Sequence, residues 1–195
     1  YDAGFVKQHG YASGTPVSDG KAVYAFFGRS GVLAHGLDGE PLWRREMEPV
    51  STRYAWGTAA SPALHDGVVY VVNDNEETSW VAAFDARSGD TLWRKEREEG
   101  SNWSTPYIWE HDQRTEIVTA GSDAVRSYGL DGEVLWTLRG MSSITIATPY
   151  AAHGLLYISS GYVGDDARPL YAIRPGATGD ISLEGDERAN EWIEW

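Results

Sequence analysis

Short runs of β-branched, aromatic and small apolar residues recur along the chain, each broken by Gly, Asn, Asp or Ser. Two such runs stand in each of four segments: Ala22–Phe27 and Val32–His35, Val68–Val72 and Trp80–Phe84, Glu116–Thr119 and Ala124–Tyr128, Leu155–Ser159 and Leu170–Ile173. Their length, side-chain type and flanking turn residues predict strands. Each segment opens on Ser/Thr-Pro, at Thr15-Pro16, Ser61-Pro62, Thr105-Pro106 and Thr148-Pro149, and the prolines step by 46, 44 and 43 residues. A period of that length is one blade of four short antiparallel strands. The pattern predicts an all-β chain, one domain over 1–195, with blades at about 11–46, 57–97, 103–139 and 145–195.

A second periodicity lies in the turns. Leu37-Asp38-Gly39-Glu40, Arg87-Ser88-Gly89-Asp90 and Leu130-Asp131-Gly132-Glu133 are hairpin turns in which Gly supplies a positive φ. Trp43, Trp93 and Trp136 each follow their glycine, Gly39, Gly89 and Gly132, by four residues. An indole at a fixed place on the outer strand of every blade predicts a docking residue between neighbouring blades, its N–H on a backbone acceptor. After the fourth unit a long connection, Gly176–Asn190, leads to Glu191-Trp192-Ile193-Glu194-Trp195, the expected outer strand of the last blade, with Trp195 as its docking residue.

Ala83-Phe84-Asp85-Ala86-Arg87-Ser88-Gly89-Asp90-Thr91-Leu92-Trp93 fits a tryptophan-docking motif Ala-x-Asp-x-x-Thr-Gly-x-x-x-Trp with Ser in place of Thr. The first and third units keep the Gly and Trp with a shorter turn, and the fourth has Arg174 where the motif has Asp. In these residues the chain resembles the PQQ-binding-like, quinoprotein-type β-propeller family. The resemblance implies a propeller of about seven or eight blades, of which four are about half. It leaves open a partial propeller, a compact four-bladed ring, or a homodimer in which two copies complete one ring. It also implies a bacterial protein in a periplasmic or extracellular setting. The family holds dehydrogenases, outer-membrane assembly scaffolds and sensor domains, so the fold alone implies no chemistry.

Composition removes several functions. Sixteen basic against 29 acidic residues give a net charge of −13, which opposes nucleic acid and anionic lipid. The absence of Cys excludes thiol catalysis, Cys-ligated zinc and disulfides. Apolar runs such as Val68–Val72 are far shorter than the roughly 18 residues of a membrane-spanning helix.

Loops entering the innermost strands share one face of a propeller with loops joining the second and third strands. That channel-mouth face collects the ligand-binding candidates His9, Tyr11, Ser13, Trp56, Thr58, Trp103, Ser104 and Thr145. Trp56 and Trp103 lie outside the docking motif and are read as stacking platforms for a flat or sugar-like ligand, or as packing residues over the blade tops. Ser and Thr at such places commonly bond the backbone. His65, His111 and His153 fall in corresponding hairpin turns, which argues against a His metal centre. Asp74, Glu76 and Glu77, and Asp165 with Asp166, are weak calcium candidates whose spacing fails the Asp-x-Asp-x-Asp-Gly loop, so no metal is expected. The run Arg94-Lys95-Glu96-Arg97 reads as a solvated outer strand.

The resulting expectation is a noncatalytic scaffold, without cofactor, that binds a protein segment or small ligand at the channel mouth. One rival is a PQQ- and calcium-dependent dehydrogenase completed by missing blades. Against it stand the absence of adjacent cysteines and of a catalytic Asp or calcium set at matching positions. A sensor domain of a larger receptor is the other alternative.

Overall fold

The computed structural model describes residues 13–195, so His9 and Tyr11 lie outside the described residues. Sixteen strands carry the fold: β1 (Val17–Ser18), β2 (Ala22–Phe26), β3 (Val32–Gly36), β4 (Pro41–Arg45), β5 (Ala63–His65), β6 (Val68–Asn73), β7 (Ser79–Asp85), β8 (Thr91–Arg97), β9 (Tyr107–His111), β10 (Arg114–Ala120), β11 (Ala124–Tyr128), β12 (Val134–Arg139), β13 (Tyr150–Ala152), β14 (Leu155–Ser159), β15 (Leu170–Ile173) and β16 (Gly179–Asp180). Helix is confined to two 3-10 turns, Gly28–Ser30 and Arg53–Ala55, among the described residues. None is long and apolar enough to cross a membrane. The strands form antiparallel meanders β1–β4, β5–β8, β9–β12 and β13–β15. These are the blades of a partial β-propeller, with no sheet closed on itself, and each apolar run of the sequence is the second or third strand of its blade.

The chain divides into two compact units, one ending at Trp103 and the other spanning Ser104–Trp195. The first unit holds two blades. Alternate residues of β2 and β3 (Ala22, Tyr24, Phe26, Val32, Ala34) meet Val69, Val71, Trp80, Ala82 and Phe84 of β6 and β7 in one core. The hairpin glycines 39 and 89 have φ of 88° and 73°, the left-handed region closed to most side chains. Trp43 crosses from the first blade to the second: its indole Nε1 donates to the Ala86 carbonyl at 2.9 Å. Its ring lies so close to Gly89 that a Cβ there would be 2.5 Å from it. Arg45, two residues on, brackets the same turn, donating to the Gly89 carbonyl (2.6 Å) and to Asp90 (2.8 Å).

In the second unit Trp109, Val118, Val125, Trp136 and Leu138 pack against Leu156, Ile158, Ile173, Ile181 and Ile193. Gly132 has a φ of 84°. The long connection runs along β12, where β16 pairs in parallel and Ile181 N donates to the Thr137 carbonyl at 2.9 Å. That covers an outer edge which would otherwise present unpaired backbone groups. The chain then returns to β15: Arg174 N donates to the Trp192 carbonyl (2.8 Å), Glu194 N to the Ala172 carbonyl (2.8 Å) and Ala172 N to the Trp195 carbonyl (3.0 Å). Residues 192–195 thus run beside β15 at the outer edge of the fourth blade, bridged through Ile193 to Ile173.

Candidate functional site: an aromatic shelf on the first unit

Three loops of the first unit are tied together by backbone and side-chain bonds. Residues 52–57 turn tightly, with Ala55 N on the Thr52 carbonyl and Gly57 N on the Thr52 hydroxyl (2.8 Å). Tyr54 and Ala55 are both left-handed, with φ of 56° and 54°, a conformation that costs a non-glycine residue energy and needs surrounding contacts to persist. Those contacts come from residues 101–103: the Ser101 hydroxyl accepts from Arg53 N at 2.9 Å, and the Trp103 indole donates to the Gly57 carbonyl at 2.7 Å. The turn projects its aromatic side chains in a row. Tyr54 and Trp56 are 5.1 Å apart by ring centroid and Trp56 and Trp103 are 5.3 Å apart. Exposure falls along the row from 60% at Tyr54 through 40% at Trp56 to 9% at Trp103. The arrangement is a shelf rooted at one end and open at the other.

The same loops enclose a polar cluster. Arg97 and Asp74 form a bidentate ion pair (Nε to Oδ1 2.8 Å, Nη2 to Oδ2 3.0 Å) with both side chains inaccessible to solvent. Asn102 donates its amide to the same carboxylate. Arg97 is therefore no solvated strand residue: β8 alternates in and out, and its last residue enters the loop region where Asp74 waits. Burial pushes the Asp74 carboxyl up, against Arg97 and Asn102, which hold it down. The side-chain carbonyl oxygens of Asn73 and Asn102 are buried without partners. Glu76 accepts from Ser101 N (3.1 Å) and Glu77 from Ser51 N (2.8 Å), and the hydroxyls of these serines, followed by their backbone N–H groups, lower both carboxyls. A cleft of about 510 Å³ lies beside them, lined by residues 75–79 and 96–100.

The remaining predicted residues are placed as follows. Thr58 is half-buried against Gly28, and Ser13 is exposed. In the second unit, Ser104 is buried and its hydroxyl donates to the Ala147 carbonyl (2.9 Å). Thr145 is fully buried and donates to the Gly121 carbonyl (2.9 Å). Asp165 accepts from the backbone N–H and hydroxyl of Ser143. Asp74 does not fit a calcium ion, because a guanidinium already occupies its open side. No group of three or more His, Asp or Glu among the described residues is arranged to hold a metal.

One constellation escapes sequence reasoning. Glu116 is fully buried and accepts from His111 Nε2 (2.8 Å), Arg114 Nε (2.8 Å), Trp136 Nε1 (2.7 Å) and the Ser127 hydroxyl. The available signal is an acidic residue at the head of an apolar run, Glu116–Thr119.

A family model described as outer membrane protein assembly factor BamB matches residues 7–106, 28–145 and 77–182. None of the curated proteins matches the chain. Among solved structures, BamB from Moraxella catarrhalis is similar with a TM-score of 0.56 at 18% identity, over 82% of this chain and 45% of that one. A europium-containing methanol dehydrogenase gives 0.58 at 13% identity, over 82% and 39%. A quinohemoprotein alcohol dehydrogenase from Pseudomonas putida gives 0.55 at 16%, over 75% and 28%. These likenesses are of fold, and the chain spans less than half the length of each structure. The overlapping family matches cover most of the sequence, so the chain belongs to the PQQ-like repeat family of β-propellers that the BamB model describes.

Proposed function

We propose that the chain is a noncatalytic propeller scaffold that takes no cofactor and holds a segment of a partner protein on the Tyr54–Trp56–Trp103 shelf. The observation that carries this reading is the graded exposure of three adjacent rings, Tyr54 and Trp56 on a turn and Trp103 on the segment that holds it. An anchored, rigid aromatic surface gives large contact area at low entropic cost, as protein-recognition surfaces do. The polar groups beside it support the same reading. Asp74 is closed to solvent and held bidentate by Arg97, which leaves it unavailable to a reacting substrate as a general base. The family description, an outer membrane protein assembly factor, directs the search for the partner to the bacterial cell envelope.

The test places a photo-crosslinking amino acid at Tyr54 in the envelope of the native host. Crosslinking to a defined protein, lost when Trp56→Ala is added, supports the scaffold. The rival dehydrogenase is tested on the protein purified from its native host with PQQ and Ca²⁺, so that any further blades are present: dye reduction with alcohols above the protein-free control overturns the proposal.

A further inference from the structure

The three loops that build the aromatic shelf are short of donors. Among the described residues, the two buried side-chain polar atoms without a partner are Asn73 Oδ1 and Asn102 Oδ1, and both are acceptors. Both residues, 3% and 4% exposed, belong to the polar cluster. Asn73 precedes Asp74. Asn102 donates its amide to Asp74 and stands between Ser101, which holds the turn, and Trp103, which roots the shelf. A buried acceptor without a donor bears the full cost of its lost hydration.

Charge is unbalanced in the same direction. The cleft beside the shelf is bounded by Glu76, Glu77, Glu96, Glu98 and Glu99, with Arg97 as the cation among its described lining residues. That guanidinium is held on Asp74, out of reach of solvent. Arg53, on the turn, acts on Glu76. Glu76 joins the cleft to the shelf: its carboxylate accepts from Ser101 N, and its own N–H donates to the Ser51 carbonyl at 2.9 Å. Glu96 and Glu98 differ from Glu76 and Glu77 in being exposed, with no bond to their carboxylates among the described residues. The first unit also shows how a guanidinium takes up an aromatic face, since Arg94 lies over the Trp80 ring at 4.8 Å.

We infer that the shelf and its acidic cleft take an arginine-bearing segment of the partner protein, with guanidinium groups stacked on Tyr54 and Trp56 and paired with Glu96 and Glu98. The inference rests on the scaffold reading and names the chemistry of what the scaffold holds. Arginine answers each feature of the surface. Its planar guanidinium stacks on aromatic rings, its five donors suit a region rich in acceptors, and its charge complements the carboxylates. Lysine brings the charge without the planar face, and an acidic segment brings neither.

The test is fluorescence anisotropy on the protein purified from its native host, with labelled peptides of equal length that alternate glycine with arginine, lysine or glutamate. The arginine peptide should bind at least about tenfold more tightly than the glutamate peptide, and more tightly than the lysine peptide. Its binding should weaken as salt rises. Trp56→Ala should weaken it about tenfold, as for the loss of an interface aromatic, and Glu96→Gln combined with Glu98→Gln about threefold or more. An arginine peptide that binds no better than the lysine or glutamate peptide, or variants that bind it like wild type, overturns the inference. Should Trp56→Ala lower the melting temperature, the paired glutamine variant carries the test. Crosslinking at Tyr54 separates the two readings. A captured segment without arginine overturns this inference and leaves the scaffold standing, whereas arginine-peptide binding as stated with no protein captured strikes the scaffold reading alone.

Discussion

Glu116 offers the sharpest test of what holds the second unit together. Four donors meet its carboxylate: the Trp136 indole and the Ser127 hydroxyl, both fully buried, and His111 and Arg114, whose side chains are 8% and 26% exposed. Replacing Glu116 by Leu keeps the apolar volume but removes every acceptor. Arg114 and His111 regain part of their hydration through their exposed atoms, and Arg114 keeps its bond to the Ala177 carbonyl. Trp136 and Ser127 cannot, and each buried donor left unsatisfied costs about 1–3 kcal/mol. Breaking a buried ion pair from one side costs about 3–5 kcal/mol in total, so the two estimates agree on a loss of about 4 kcal/mol.

The assay is native-state hydrogen exchange on peptides spanning β10–β12, where each 1.4 kcal/mol is a factor of ten in opening. Exchange should rise more than about a hundredfold in Glu116→Leu. Adding Trp136→Phe to that variant removes the orphaned N–H together with its lost acceptor, so the double change should cost less than the sum of the single changes by about 1 kcal/mol or more. A rise below about tenfold in the single variant, or strict additivity in the double, would refute the reasoning.

Three further outcomes follow from the geometry. Gly89→Ala should cost more than Gly39→Ala by about 1–3 kcal/mol in urea titration, since both strain a positive φ but only the first drives a Cβ into the Trp43 ring; equal costs would mean that the ring is not seated there in solution. Arg97→Leu should destabilise by about 3–5 kcal/mol at neutral pH by stranding the buried Asp74 carboxylate, and the deficit should shrink as pH falls and Asp74 protonates; a pH-independent deficit would exclude an ionised Asp74. Backbone N–H groups of their own turns hold Asp85 and Asp19 below their ordinary value of 3.8. Their contribution is complete above that value and lost as pH falls through the lowered folded values, so melting temperature should decline below about pH 4, and Asp85→Asn should flatten that decline.

The blades were legible in the sequence because the features that make a hairpin are local. Gly39, Gly89 and Gly132 supply positive φ, and four residues on, the strand period sets Trp43, Trp93 and Trp136 on a defined face. The return of Glu191–Trp195 to the fourth blade was legible only as the place left for its outer strand after a long connection, and it is met by a single bridge, Ile173 to Ile193. The candidate site was legible only in part. Trp56 and Trp103 stood out because they lie off the repeat, but their contact and the part played by Tyr54 depend on the Arg53 to Ser101 and Gly57 to Trp103 bonds, which join residues 46 to 48 apart. Arg97 was hidden for a related reason. Its neighbours Arg94 to Glu96 alternate as a solvated strand does, and the carboxylate that buries it lies 23 residues away.

The docking tryptophans show the same contrast between a local motif and a distant partner. The repeat specifies an indole four residues after its turn glycine, yet its partner differs: a main-chain carbonyl for Trp43 and the Glu116 carboxylate for Trp136. An indole N–H leaving water needs an acceptor wherever it goes. The acceptor belongs to another strand, so the motif can repeat faithfully while its consequences diverge. A carbonyl makes the docking generic, because every turn offers one. A carboxylate makes it specific, because it also recruits His111, Arg114 and Ser127 into one network. Where a repeat protein of this kind acquires properties of its own is therefore decided less by the motif residue than by what lies opposite it.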